Sequence, residues 1–134
     1  MIRHILSLIP LLIFITACQT LGEHKRADTL QDTLKRYEGS IRWSSGSQLH
    51  NFLTPDESRE DPVINPNSRN VKVTNYEVVQ GPSMLGDDRA IQTAIIQYVL
   101  QDSQVVREIT DQQDWHFDEE AETWYLSSPI PVFK

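Results

Sequence analysis

The sequence predicts an α+β domain: N-terminal helices packed on a curved, cone-like sheet of four antiparallel strands, preceded by a leader and a short tether. Three observations carry that expectation. Apolar residues recur at spacings of three and four across residues 27–41, a proline-rich stretch follows, and from Val71 onward β-branched and aromatic residues dominate in blocks separated by turn residues. A chain of 134 residues has room for one such domain.

The leader comes first. Arg3 supplies a positive start, and Ile5 to Ile15 form an apolar run of 11 residues. That is signal-peptide length, well short of the roughly 20 apolar residues that span a bilayer. Ile15-Thr16-Ala17-Cys18 then places an aliphatic residue and two small ones before a cysteine. An uncleaved anchor from Ile5 to Leu21 is the alternative, and Pro10, Gln19 and Thr20 weaken it.

This segment resembles the lipobox of bacterial lipoproteins. The resemblance implies cleavage between Ala17 and Cys18, a diacylglycerol on the Cys18 sulfur and commonly a third acyl chain such as palmitate. Gln19 in place of an aspartate implies the outer membrane, periplasmic face. The expected organisation is thus 1–17 signal peptide, 18–26 lipidated N-terminus and tether, and 27–134 folded domain. Each buried methylene contributes about 0.8 kcal/mol, and two chains already anchor stably. The tether Gln19–Arg26 reaches at most about 28 Å when extended. His24 is read as solvated within it.

Cys18 is the only cysteine, so no internal disulfide can form. Within residues 1–17 Arg3 is the sole Arg, Lys, Asp or Glu, so the remainder carries 11 basic against 19 acidic side chains, a balance of −8. Nucleic acid is an unsuitable partner, because phosphate neutralisation needs a clustered basic surface. Membrane attachment must be covalent or hydrophobic, since an acidic body gains nothing from anionic lipid.

The elements of the domain follow in order. Ala27, Leu30, Leu34, Tyr37 and Ile41 mark one face of a helix, with Asp28 and Asp32 near its expected start and Lys35, Arg36 and Arg42 near its end. Gly39 is expected to cost that helix something. Ser44-Ser45-Gly46 reads as a turn, and Ser47 as the cap of a short second helix carrying Leu49, Phe52 and Leu53, ended by Thr54-Pro55. Residues 54–70 hold three prolines and four carboxylates and read as a loop. Strands are expected at 71–80, 89–100, 105–115 and 123–126. Their short connections force antiparallel neighbours.

The order LKRYEGSIRW, QLHNFLTPD, long strands and a closing W-x-F-D-x-E…W-Y-L hairpin resembles the nuclear transport factor 2-like (cystatin-like) superfamily across residues 27–127. The resemblance implies a cone whose interior is either packed or a pocket, and relatives that often form homodimers. A pocket here would be lined by Tyr37, Trp43, Tyr98 and Trp115. Enzymes of this kind hold a carboxylate or histidine in an apolar cavity that moves its pKa towards neutrality. The candidates are His50, Asp114 and His116, with Tyr37, Tyr76 or Tyr98 as donors.

None of these stands in a diagnostic arrangement. His50 reads as a partly buried structural residue, and His116 as exposed because it alternates with Trp115 and Phe117. Trp43, Trp115 and Trp124 read first as packing, with an aromatic wall for a ligand as the alternative. The carboxylates of the loop and hairpins do not follow a calcium-loop spacing, and no phosphate loop, nucleophile elbow or zinc motif is present. The sequence therefore points to no metal, no cofactor and no catalytic residue. The expected role is a non-enzymatic, membrane-anchored interaction module with an envelope protein or a second copy as partner. A small-molecule binder or enzyme using the pocket is the alternative.

Overall fold

The computed structural model describes residues 9–43, 48–56 and 70–134, with side chains from Leu21 onward. The expected turn at 44–46, the Ser47 cap and nearly all of the proline-rich loop lie outside the described residues.

One long helix, α1 (Ile9–Trp43), packs on a four-stranded antiparallel sheet. The strands are β1 (Val71–Met84), β2 (Arg89–Leu100), β3 (Val106–Asp118) and β4 (Thr123–Leu126), and their spatial order is their chain order. The expected meander is therefore present, and the domain is α+β. The second helix is reduced to a single 3₁₀ turn, Leu49–Phe52, preceded by Gln48 with no side-chain cap. Its buried Leu49, half-buried Phe52 and the Leu53–Leu126 bridge fix it against β4.

The buried face of α1 is Leu30, Thr33, Leu34, Tyr37 and Ile41, the three-four spacing of an amphipathic helix. Thr33 is tolerated there because its hydroxyl donates back to the Thr29 carbonyl at 2.9 Å. Two details differ from expectation. Residues 19–26, read as a tether, continue the helix. Ala27 is exposed, so the buried face opens only at Leu30. Asp28 and Asp32 then stand in mid-helix, and the first turn holds no acid. At the other end Arg42 complements the helix dipole and reaches Glu38 at 2.8 Å and the Tyr76 carbonyl at 3.3 Å.

β2 shows the alternation of a central strand, with every second residue from Ala90 to Leu100 buried. β1 runs four residues further than its apolar content suggests, through Gly81-Pro82. It can do so because it is an edge strand, where a missing N–H costs no ladder bond, and because register shifts at Val73/Asn75, Val78/Gln80 and Gln80/Ser83 absorb the irregularity. Past Tyr76 it is wholly exposed. After β4 the chain returns along the sheet and buries Phe133, whose ring meets Tyr98 at 5.0 Å.

The turns define two ends. β1–β2 (85–88) and β3–β4 (119–122) lie at one end, because Arg89 pairs with His116; the β2–β3 turn (101–105) lies at the other. α1 enters at the first end. Lys25 pairs with Glu122 at 3.0 Å, Arg26 with Glu119, and the Trp124 indole donates to the Arg26 carbonyl at 3.1 Å. Among the described residues no helix is long and apolar enough to cross a membrane.

Candidate functional site

β3 alternates faces, so Asp111, Gln113, Trp115 and Phe117 point inward together while Gln112 and His116 point out. Asp111 is 3 % exposed and Gln113 2 %. An acid and an amide buried at this level need partners, since an unpaired polar group costs about 1–3 kcal/mol.

The partners come from α1, β1, β2 and β3. Asp111 Oδ2 accepts from the Tyr37 hydroxyl at 3.2 Å and from Gln113 Nε2 at 2.8 Å. Gln113 Nε2 also donates to the Tyr76 hydroxyl at 2.8 Å. Its carbonyl oxygen accepts from the Trp115 indole at 3.2 Å and from Gln92 Nε2 at 3.3 Å. Gln113 thus uses both donors and both acceptor positions, which fixes its amide orientation. Opposite Asp111 in the ladder stands Ala94, itself fully buried.

Burial sets the electrostatics. It pushes the Asp111 carboxyl above the ordinary carboxylate range, opposed by the hydrogen bonds from Gln113 and Tyr37. Burial raises Tyr37 well above a normal phenol, and the Asp111 charge adds to the rise. Tyr76 is pushed up to about 12, again chiefly by burial. Both phenols therefore keep their protons at neutral pH. The carboxyl is the one member of the cluster whose charge can change.

Beside this network the rings of Tyr37, Phe52 and Trp115 pack edge to face, at 5.3 Å for Tyr37–Phe52 and 5.2 Å for Tyr37–Trp115. Of the four residues expected to line a pocket, Tyr37 and Trp115 meet. Tyr98 is committed elsewhere: its hydroxyl bonds the Lys134 carbonyl at 2.9 Å, and its ring packs on Phe133. Trp43 is 85 % exposed and lines no interior. It sits two residues beyond buried Ile41, about 200° around the helix, so it faces away from the sheet.

The expected titratable candidates stand apart from the cluster. His50 is half-buried and His116 exposed, as their positions suggest; His116 lies 3.9 Å from the Asp88 carboxylate. Asp114 is bound by Arg89, with Nε to Oδ1 at 2.9 Å, and this guanidinium holds its carboxyl below the usual range. Asp111, Gln113 and Gln92 are the residues sequence reasoning missed. The available signal was the two-residue step back from Trp115, which puts both 113 and 111 on the core face.

A second feature is a cleft of about 360 Å³ at the end where α1 enters, lined by Glu23, His24, Arg26 and Ala27 of α1 and by Met84, Gly86 and Asp87 of the β1–β2 turn. The Arg26 guanidinium crosses it to the Asp87 carbonyl at 3.2 Å and stacks over Phe117 at 5.1 Å. Among the described residues no three His, Cys, Asp or Glu side chains converge as a metal site. No family model matches the sequence, and no curated protein and no solved structure matches it significantly.

Proposed function

We propose that this chain is a bacterial lipoprotein, cleaved between Ala17 and Cys18, acylated on Cys18 and held at the periplasmic face of the outer membrane. Its α+β domain acts there as a non-enzymatic interaction module for an envelope partner or a second copy. One observation carries the reading: Ile15-Thr16-Ala17-Cys18 stands directly after an apolar run of 11 residues and holds the sole cysteine.

The docking of α1 supports it. Lys25 and Arg26, seven and eight residues after Cys18, are already fastened to the β3–β4 turn. At about 1.5 Å per helical residue the anchor lies about 10–12 Å from the folded body, well inside the reach of an extended tether. Such a domain works at the bilayer surface.

The buried network supports a non-catalytic role for the interior. Each group of Gln113 is used internally, and Tyr37, Phe52 and Trp115 fill one another's edges. A small-molecule or enzymatic role draws on one observation, the inward-facing acid Asp111 with two phenols near it. The nuclear transport factor 2-like resemblance gives that reading its setting, a cone with an inner pocket.

Mass spectrometry of the chain purified from membranes tests the main reading. The expected product starts at Cys18 and carries acyl mass, and Cys18→Ser moves the chain to the soluble periplasmic fraction. An unmodified Cys18 thiol, or release of the wild type by salt alone, would overturn the proposal. In-cell cross-linking then separates an envelope partner from a homodimer.

A further inference from the structure

At the end where α1 enters, three large apolar side chains stand in water: Leu21 at 71 % exposure, Met84 at 43 % and Leu85 at 45 %. Leu21 belongs to α1, two residues before the cleft that α1 forms with the β1–β2 hairpin, and Met84 and Leu85 belong to that hairpin. The cleft between Glu23–Ala27 and Met84–Asp87 sets the hairpin beside the helix, and Arg26 bonds the Asp87 carbonyl at 3.2 Å.

The hairpin holds its tip in a defined shape. Leu85 N–H donates to the Arg89 carbonyl at 2.7 Å, and Gly86 takes φ +79°, a backbone state that a side chain would strain. Leu85 is therefore presented outward by the turn itself, where a polar residue would serve solubility better.

We infer that this end of the domain is a membrane-contact face, with Leu21, Met84 and Leu85 seated in the headgroup region of a bilayer. The inference rests on acylation of Cys18, which lies three residues before Leu21 on the same helix. At about 1.5 Å per residue the acyl chains enter the bilayer within about 5 Å of Leu21 along the helix axis. Apolar side chains held so near an interface lose water on contact with it. Val105 and Val106, 56 % and 63 % exposed, sit at the opposite turn. The 12 residues of β2 separate the two ends by about 35 Å.

Charge selects the kind of lipid. Glu23, Asp87, Asp88, Glu119, Glu120 and Glu122 crowd this end against Lys25, Arg26 and Arg89. An excess of acids repels anionic headgroups, so the face fits zwitterionic lipid such as phosphatidylethanolamine.

The test uses the full, natively acylated chain. Because the acyl thioether blocks Cys18, Leu85→Cys and Val105→Cys each add one free thiol for an environment-sensitive fluorophore. In phosphatidylethanolamine–phosphatidylcholine vesicles carrying nitroxide lipids, the label at 85 is expected to shift to the blue and lose intensity. The label at 105 should do neither. Replacing phosphatidylethanolamine with phosphatidylglycerol should weaken the response at 85. Equal quenching at both positions, or none at 85 while the chain still floats with the vesicles, overturns the contact face and leaves the anchor standing. Labelling of Cys18 itself, or failure to float, overturns the anchor and this face with it.

Discussion

The inward row of β3 divides into two halves that share a strand, a face and a neighbouring helix. Trp115 and Phe117 pack chiefly against rings; Asp111 and Gln113 are polar and spend their groups on one another and on Tyr37, Tyr76, Gln92 and the Trp115 indole. The aromatic half contributes burial, which is favourable in nearly any geometry. The polar half contributes little net energy, because its hydrogen bonds replace others made to water. It is satisfied in one arrangement only, so it sets where α1 sits on the sheet. A packed interior thus draws stability from one half and register from the other.

The largest expected effect tests the aromatic half. Trp115 is fully buried and meets Tyr37, Phe52 and Gln113, so Trp115→Ala should cost about 3–5 kcal/mol. Urea denaturation followed by circular dichroism measures it. A loss below about 1 kcal/mol would mean that the interior is not packed as described.

Next comes Asp111→Ala, which strands the Tyr37 hydroxyl and one Gln113 donor in the core. The expected loss is about 1–3 kcal/mol. Asp111→Asn keeps an acceptor oxygen and should lose less. If both variants were more stable than wild type, the carboxylate would be held for function at the expense of stability, which favours the small-molecule reading.

The pH profile separates the halves without changing packing. The folded-state pKa of Asp111 lies above its unfolded value, so between those two values the folded chain binds more protons than the unfolded one. Stability therefore falls as pH rises through that window and levels off above the folded pKa. Asp114 acts in the opposite sense: Arg89 lowers its folded pKa, and its contribution is lost as pH falls through that value. Subtracting the Asp111→Asn profile from that of wild type leaves the Asp111 fall alone. A flat difference between acid and neutral pH would show that this carboxyl is not desolvated in solution.

How legible all this was depends on the residue types. The meander could be read because β-branched blocks alternate with turns rich in Gly, Asp, Ser and Glu, and β2 pairs along its full length. The start of α1 could not. Gln19 to Arg26 are polar enough to suggest a tether, and the partners of Lys25 and Arg26, Glu122 and Glu119, lie 97 and 93 residues away, beyond any local pattern. The extent of β1 was hidden by Gly81-Pro82, which is a turn signal in a central strand and harmless on an edge. The site was hidden differently. Asp111-Gln112-Gln113-Asp114 reads as a polar patch, and only its register with Trp115 turns two of its members inward. The role proposed for Cys18 was read from local sequence, Ile15-Thr16-Ala17-Cys18 after an apolar run.

The smallest effect belongs to Trp43, expected to line a pocket and found exposed. Trp43 and Trp115 are the same residue type, but one is 85 % exposed and the other 0 %. Trp43→Ala removes a side chain that the sheet does not touch, so the change in stability should stay within about 0.5 kcal/mol, against several for Trp115→Ala. Their intrinsic fluorescence offers a second comparison in Trp43→Phe and Trp115→Phe chains. Acrylamide should quench the emission lost in Trp43→Phe and spare the emission lost in Trp115→Phe. A protected Trp43 would mean that another surface covers it in solution. Protection that is lost on dilution of the purified chain would show that a second copy supplies that surface.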